Sequence, residues 1–175
     1  NDIIHGQINL SLVAIKIIDT PEFQRLRSIK QLGACNYVFP TATHSRFEHS
    51  IGVAHLSKDF LYRLVINSNN TLKVEANDYL MVEIAGLCHD LGHGPFSHAF
   101  DCDFLVQCKL REDTSSSEDE SMIGQSYNIH ERRSCLLLRY INNKYRIGLL
   151  EEQLDIICDM IIPNSRNSVC NYNQC

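Results

Sequence analysis

Residues 89–98 read His-Asp-Leu-Gly-His-Gly-Pro-Phe-Ser-His and place three of the chain's eight histidines within ten positions. The apolar run from Leu80 to Leu91 that leads into this segment has helical spacing, which predicts a central buried helix. Two glycines and a proline then stop that helix. The adjacent His89 and Asp90 offer one nitrogen and one oxygen donor, a set that suits a borderline or hard divalent ion better than soft copper. The segment therefore predicts part of a metal site at the end of a core helix.

Length and composition are those of one soluble globular domain. The chain has 175 residues, of which 44% are hydrophobic and 21% charged, and a chain of this length can bury a sizeable core. Its formal charge of -5 argues against a general nucleic-acid or membrane-surface binder, although a local basic pocket for a small polyanion stays open. No apolar run is long enough to span a bilayer, so we expect no membrane partner.

The pattern of cysteines in the sequence indicates the cellular compartment of the protein. The eight cysteines include no CxxC pair, and several lie in helical apolar stripes, where cysteine behaves as a small hydrophobic residue. This pattern favours a reduced protein over a secreted disulfide scaffold. Residues 1–5 carry neither a basic segment nor a signal-peptide core. We therefore expect an intracellular protein, located in the nucleus, the cytoplasm or both.

Helix-start signals precede two apolar stripes in the first third of the chain. The segment Asp19–Glu22 combines a capping side chain, an early proline and an acidic residue, and it predicts a helix that ends near Gly33. The segment Ser45–Glu48 has the capping-box pattern. The helix that it opens has a core-facing stripe predicted at His49, Val53, Leu56, Phe60 and Leu64.

The remaining helices are predicted from similar signals. Asp78 is the expected cap of the central helix, and Ser97 is the expected cap of a helix whose first turn carries His98 and Asp101. Two further helices are predicted from His130 onward and over about 150–162. Between them and the histidine-rich segment, residues 109–128 are acidic and rich in serine, which predicts a flexible loop. Residues 163–175 predict a frayed polar tail, and the fold class is expected to be mainly α.

Several ionisable residues are predicted to meet in this helical core, where an unpaired charge is costly. They are Arg46, His49, His89, Asp90, His93, His98, Asp101 and His130. A shared divalent metal ion would explain their burial, and it could also lower the pKa of bound water. Arg46 could bind a phosphate oxygen, and three of the histidines could donate to phosphate or move protons near neutral pH.

Simpler interpretations remain beside this one. A lone His49 on an apolar face is more often a core histidine with an ordinary hydrogen bond, and Arg25, Arg27 and Lys30 are more often a solvated basic face. An HExxH-type zinc hydrolase is disfavoured, because Asp90 stands where that motif needs glutamate and Gly92 weakens the helix that it needs.

The sequence closely resembles the HD-domain deoxynucleoside triphosphate triphosphohydrolases of the sterile-alpha-motif-and-HD-domain type. The likeness covers residues 1 to about 101 in register and continues more loosely through 130–131 and 150–163. It is carried by the segments Asp19–Arg27, Gln31–Gly33, Arg46–Ser50 and Gly86–His98. The resemblance implies an HD-domain helical bundle that hydrolyses a dNTP to a deoxynucleoside and inorganic triphosphate.

The resemblance also implies roles for individual residues. The implied metal ligands are His49, His89 and Asp90, with Fe, Mn, Zn and Mg all remaining open as the ion. The implied substrate-binding residues are Arg46 and His93 for phosphate and Gln31 and Leu32 for the nucleoside. The implied catalytic residues are His98 and Asp101 beside the catalytic water and His130 as a candidate proton donor. The implied regulatory-nucleotide residues, for GTP or a dNTP, are Asn1, Asp19, Gln24 and Arg27.

The same resemblance implies a homo-oligomer. In one respect, however, this sequence departs from the family's pattern. The family's fourth metal ligand, an aspartate on a later helix, would fall beyond Cys175, and Asp155 and Asp159 precede that helix. We therefore expect residues 1–175 to be a partial HD domain, incomplete at its C-terminus. Two alternatives to an active triphosphohydrolase remain: a regulatory fragment that binds metal or nucleotide without turnover, and an HD-type phosphodiesterase or 5'-nucleotidase.

Overall fold

The computed structural model describes residues 1–69, 71–105, 107–108 and 129–163, and this part of the chain is mostly helical. Its α-helices are α1 (Leu12–Ile18), α2 (Pro21–Gln24), α3 (Arg46–Asn67), α4 (Ala76–Cys88), α5 (Ile129–Tyr145) and α6 (Glu151–Ile161). Two 3-10 segments and one π-helical segment lie between them: Arg25–Ser28, Gly33–Tyr37 and Ala99–Phe104. The described residues contain isolated β-bridges but no β-strand. The prediction of a mainly α fold is confirmed.

The predicted start of α3 is present in full. The Ser45 side chain accepts from the backbone N–H of Glu48 at 3.4 Å, and the Glu48 carboxylate accepts from the backbone N–H of Ser45 at 3.2 Å. This reciprocal pair satisfies two donors that a helix start leaves open. The cap therefore sets where α3 begins, and it leaves Arg46 and His49 in the first turn.

Helix α4 is the centre of the fold, as its apolar sequence predicts. It packs against α1, α3, α5 and α6, and Ile84, Leu87 and Cys88 are fully buried. Its start differs in detail from the prediction: Glu75 is the N-cap, and Asp78 accepts from the backbone N–H of Glu75 at 2.8 Å. The helix ends at Cys88, directly before the His-Asp pair.

The predicted core stripe of α3 is wrong in its C-terminal half. Leu56, Phe60 and Leu64 are 50%, 63% and 42% exposed. Helix α4 instead packs on the small-residue face of α3, because Gly86 lets the two backbones approach closely. A Cβ at Gly86 would lie 3.2 Å from the Cα of Ala54 and 3.1 Å from the carbonyl oxygen of Val53. Backbone proximity at a glycine, rather than the position of the largest side chains, selects the buried face.

Other predictions differ or fall outside the described residues. The helix predicted from Pro21 towards Gly33 is α-helical only to Gln24 and then 3-10 to Ser28. Ser97 does not cap the next helix, because its N-cap is His98 and the Ser97 hydroxyl bonds elsewhere. The predicted acidic loop at 109–128 and residues 164–175 of the predicted tail lie outside the described part. None of the helices described is both long and apolar enough to cross a membrane.

Candidate metal and phosphate site

The first histidine cluster consists of His49, His89 and Asp90, which α3 and the end of α4 bring together. The Nε2 atoms of His49 and His89 are 3.2 Å apart. The Oδ2 atom of Asp90 lies 3.4 Å from the first and 3.3 Å from the second. Ligand atoms bonded at about 2.0–2.1 Å to a tetrahedral ion are themselves about 3.3–3.4 Å apart. These three residues therefore fit, and could hold, one divalent metal ion.

The donors of this first cluster are oriented from outside. The Nδ1 atom of His89 lies 2.8 Å from the carbonyl oxygen of Gly86, a contact that orients the ring with Nε2 inward. Arg46, which is 1% exposed, donates from Nη1 to Oδ2 of Asp90 at 2.5 Å. Its Nε donates to the Ser97 hydroxyl at 3.0 Å, and that hydroxyl donates to the carbonyl oxygen of Lys30 at 2.8 Å. The geometry thus makes Arg46 a support for Asp90.

Burial and charge shift the pKa values of this cluster. Burial lowers the pKa of His49 below its ordinary value, although the Asp90 charge opposes the shift. Burial also acts to lower the pKa of His89, but the hydrogen bond and charge of Asp90 raise it on balance. Burial acts to raise the pKa of Asp90, yet His89 and Arg46 hold it far below the usual range. Asp90 is therefore an ionised carboxylate, as metal binding requires.

The second histidine cluster consists of His93, His98 and His130. The rings of His93 and His130 are stacked with their centroids 3.8 Å apart, and the His98 ring meets His93 edge-on at 4.9 Å. Asp101 faces this cluster, with Oδ2 at 3.2 Å from Nδ1 of His93 and 3.9 Å from Nδ1 of His130. Arg133 donates to the other carboxylate oxygen of Asp101. Four residues predicted for phosphate binding and catalysis are thus adjacent in space.

Helix α5 reaches this cluster through Gly92 and Ser134. The backbone N–H of Gly92 donates to the Ser134 hydroxyl at 2.8 Å, and that hydroxyl lies 2.8 Å from the carbonyl oxygen of His89. A Cβ at Gly92 would lie 2.1 Å from the carbonyl oxygen of His130 and 2.5 Å from the backbone nitrogen of Ser134. Only glycine at position 92 allows α5 to approach this closely, so it sets the place of His130.

The three histidines of the second cluster differ in their exposure to solvent, and this difference limits which of them a ligand can reach. His93 is fully buried and His130 is 13% exposed, whereas His98 is exposed. Burial and the neighbouring His93 lower the pKa of His130 to about 4, so its ring is neutral at pH 7. Of the three histidines, His98 and His130 are accessible to a ligand from solvent.

Sequence reasoning misses Arg25, whose residue type and spacing indicate only a solvated basic face. Arg25 is half-buried and donates from Nη1 to the carbonyl oxygen of His93 at 2.7 Å, and from Nη2 to that of Leu91. It therefore holds the loop between the two clusters. Sequence reasoning also misses Arg133 and Ser134. These contacts span 32 or more residues in the chain, and no local spacing pattern reports contacts at such separation.

The residues predicted to bind the nucleoside and the regulatory nucleotide differ in their exposure and contacts. The Oε1 atom of Gln31 is buried without a hydrogen-bond partner among the described residues, and Leu32 is 49% exposed. Gln24 and Arg27 contact each other, because Nε of Arg27 donates to Oε1 of Gln24 at 2.7 Å. The Arg27 guanidinium lies 3.5 Å from the centre of the Phe47 ring. The other two regulatory candidates, Asn1 and Asp19, are both exposed.

Comparison with known proteins agrees with this arrangement. The HD domain family model matches residues 46–169. The chain is 56% identical to the deoxynucleoside triphosphate triphosphohydrolase SAMHD1 of Homo sapiens over 90% of its length, and 50% identical to that of Xenopus laevis over 75%. It is 38% identical, over 97% of its length, to an HD domain-containing protein of Acanthamoeba polyphaga mimivirus. The aligned parts make up 23%, 21% and 36% of these three relatives, so the chain spans a minor part of each.

Proposed function

The chain belongs to the HD domain family, and we propose on that basis that the protein is a metal-dependent phosphohydrolase that converts a dNTP to a deoxynucleoside and inorganic triphosphate. The observation that carries the proposal is the triangle of His49, His89 and Asp90 donors, 3.2–3.4 Å apart and beside a second group of histidines. The SAMHD1 relatives are named as deoxynucleoside triphosphate triphosphohydrolases, which supports the choice of reaction.

In this proposal His49, His89 and Asp90 hold a divalent ion whose identity is open among Fe, Mn, Zn and Mg. When bound, such an ion acts as a Lewis acid and makes water a stronger nucleophile near neutral pH. Arg46 keeps Asp90 ionised and oriented. Because its guanidinium already bonds Asp90 and Ser97 at 1% exposure, we assign it to this support rather than to direct contact with phosphate.

The second cluster supplies the remaining chemistry. Hydrolysis adds water across the bond between the α-phosphorus and the 5'-oxygen, so the leaving oxygen must gain a proton. Exposed His98 is suited to donate that proton or to bind phosphate oxygens, and neutral His130 is suited to accept a proton from water. Asp101 orients His93 and His130 from behind. The substrate nucleoside would contact Gln31 and Leu32.

The same proposal includes regulation and assembly. We assign a regulatory nucleotide to the surface of Gln24 and Arg27, together with Asn1 and Asp19, because Arg27 offers a guanidinium on an aromatic face there. We also propose that the protein forms homo-oligomers and works inside the cell. The intracellular location is proposed from the sequence pattern of the eight cysteines, which include no CxxC pair.

A second candidate function is a fragment that binds metal or nucleotide without turnover. The observation that favours it is that only three donor residues gather around the first cluster in the described part of the chain. A three-ligand site can still hold a divalent ion, but it leaves more positions to water.

The experiment that tests the proposal incubates the purified chain with a dNTP and Mn²⁺ or Mg²⁺. Ion chromatography measures inorganic triphosphate, and mass spectrometry of the desalted protein measures metal. We expect triphosphate release that His49→Ala abolishes. His55→Ala is the matched control, because His55 lies on the same helix and contacts His5 instead. Bound metal without triphosphate would reject the enzyme for this chain and favour the second candidate.

A further inference from the structure

We propose that Cys135 and Cys158 form a modification site, at which a peroxide oxidises the two thiols to a reversible disulfide that joins α5 to α6. Cys135 is half-buried on α5, Cys158 is buried on α6, and both are free thiols. The Sγ atom of Cys135 lies 4.0 Å from the carbonyl oxygen of Cys158, and the two side chains are hydrogen-bonded to each other. The two thiols are therefore in contact in the reduced chain.

The way in which α5 pairs with α6 explains this contact. The two helices are antiparallel, because Arg139, one turn after Cys135 in α5, donates to residues that precede Cys158 in α6. Its acceptors are Glu151 at 2.7 Å and Asp155 at 2.5 Å. Cys135 and Cys158 occupy facing positions in the same register. Helices that pack about 8–10 Å apart bring directly facing Cα atoms within the reach of a disulfide, which is about 7 Å. We therefore expect the disulfide to form without a rearrangement of the helices.

The surroundings of Cys158 favour its thiolate, which is the form that reacts with peroxides. The hydrogen bond from Cys135, together with the charge and hydrogen bond of Arg139, lowers the pKa of the Cys158 thiol, although burial and Asp155 oppose the shift. Cys88 is the contrast among the neighbouring cysteines. It is fully buried, and burial raises the pKa of its thiol. We therefore expect Cys158 to be the attacking thiol and Cys88 to stay reduced.

One molecule of hydrogen peroxide balances the oxidation of the two thiols. The thiolate sulfur of Cys158 attacks one peroxide oxygen and the O–O bond breaks, which leaves Cys158 as a sulfenic acid. The hydroxide that leaves takes a proton from solvent and becomes water. The Cys135 sulfur then attacks the Cys158 sulfur, so that the S–S bond forms and the S–O bond breaks. The hydroxyl group leaves with the Cys135 proton as a second water. The two thiols lose two electrons, peroxide gains them, and a dithiol reductant reverses the modification.

The test oxidises the full 175-residue chain after its reduction with dithiothreitol and removal of the reductant. Hydrogen peroxide is added, the remaining thiols are blocked with iodoacetamide, and mass spectrometry of a non-reducing peptic digest identifies the linked peptides. We expect a Cys135–Cys158 disulfide to form before any other, and dithiothreitol to reverse it. In Cys135→Ser, a dione probe for sulfenic acid should label Cys158. Cys35→Ser is the matched control at an exposed cysteine, and it should behave as the unaltered chain does.

A second pair of variants tests the part played by Arg139. Arg139→Gln removes the positive charge beside Cys158 and should slow disulfide formation several-fold. Arg63→Gln is the matched control, because Arg63 pairs with Asp59 at the exposed surface of α3, away from both cysteines in the chain. It should leave the rate of disulfide formation unchanged.

Two results would overturn this modification site. One is a folded, unaltered chain in which peroxide forms no Cys135–Cys158 disulfide or links Cys158 first to another cysteine. The other is equally fast disulfide formation in Arg139→Gln, which would overturn the activation of Cys158. Circular dichroism confirms folding before and after oxidation, and the digest of the unaltered chain is decisive even where a variant does not fold. No readout involves hydrolysis of a dNTP, so this site and the proposed function can fail independently.

Discussion

The two histidine clusters use the same residue types but are built differently. In the first, His89 and Asp90 are neighbours in the chain; the Gly86 carbonyl contacts Nδ1 of His89, and Arg46 donates to Asp90. In the second, His93 and Asp101 keep buried atoms without hydrogen bonds to any described residue, and His130 arrives on a helix that docks from a distant part of the chain. The His89–Asp90 pair is thus held by hydrogen bonds, whereas the position of His130 in the second cluster depends on the packing of α5.

Asp90→Asn, in the first cluster, should have the largest effect on stability and on metal binding. It removes one metal ligand and leaves the buried Arg46 guanidinium without its counter-charge, which typically costs about 3–5 kcal/mol. Urea unfolding of the metal-free chain measures this loss, and metal content measures the ligand. Asp59→Asn is the matched control, because Asp59 pairs with Arg63 at the exposed surface, and its loss should cost less than about 1 kcal/mol.

Equal loss of stability in the Asp90 and Asp59 variants would contradict the support assigned to Arg46. Retained metal in Asp90→Asn would contradict the assignment of Asp90 as a ligand. The two readouts are independent, because stability is measured without metal and metal content is measured on folded protein. Either result would weaken the distinction between the first cluster, whose Asp90 is held by Arg46, and the second cluster, in which the position of His130 depends on the packing of α5.

Gly92→Ala should disrupt the second cluster and spare the first. Its Cβ would collide with the backbone of α5 at His130 and Ser134, and a backbone atom cannot turn aside as a side chain can. Overpacking of this kind costs about 1–3 kcal/mol. We expect the variant to lose triphosphate release and to keep the metal bound by the first cluster.

Gly52→Ala is the matched control for that experiment. Gly52 lies within α3, and an added Cβ would meet only the His5 side chain, at 3.6 Å. Alanine is the better helix former by up to about 1 kcal/mol, so this variant should unfold at higher urea concentration. If Gly92→Ala were as stable as the unaltered chain and released triphosphate as fast, the close approach of α5 would not be what positions His130.

The difference between the clusters also explains what the sequence can predict. The capping box at Ser45–Glu48 and the end of α4 before His89 are local patterns, so the frame of the first cluster is predictable. The roles of Arg25 and Ser134 are not, because each depends on contacts with residues more than 40 positions away. The buried face of α3 also escapes prediction, since periodicity reports large apolar side chains and cannot report where Gly86 lets two backbones meet.

The smallest expected effect is a loss of folding stability at acid pH, which arises from His130 in the second cluster. Its pKa is about 4 in the folded chain, because burial and His93 disfavour the charged ring, whereas an unfolded histidine titrates near 6.5. The unfolded state therefore binds more protons between these values. The stability that neutral His130 contributes is present above pH 6.5 and is lost as the pH falls towards 4.

His130→Gln removes this titration and makes the effect measurable. Between about pH 7 and about pH 5.5, in the presence of a chelator, the unaltered chain should lose about 1 kcal/mol more stability than the variant. Urea unfolding at each pH provides the comparison, and carboxylates titrating elsewhere cancel because both proteins carry them. Parallel stability curves would mean that the docked α5 leaves His130 in contact with water. In that case burial could not be what keeps the His130 ring neutral.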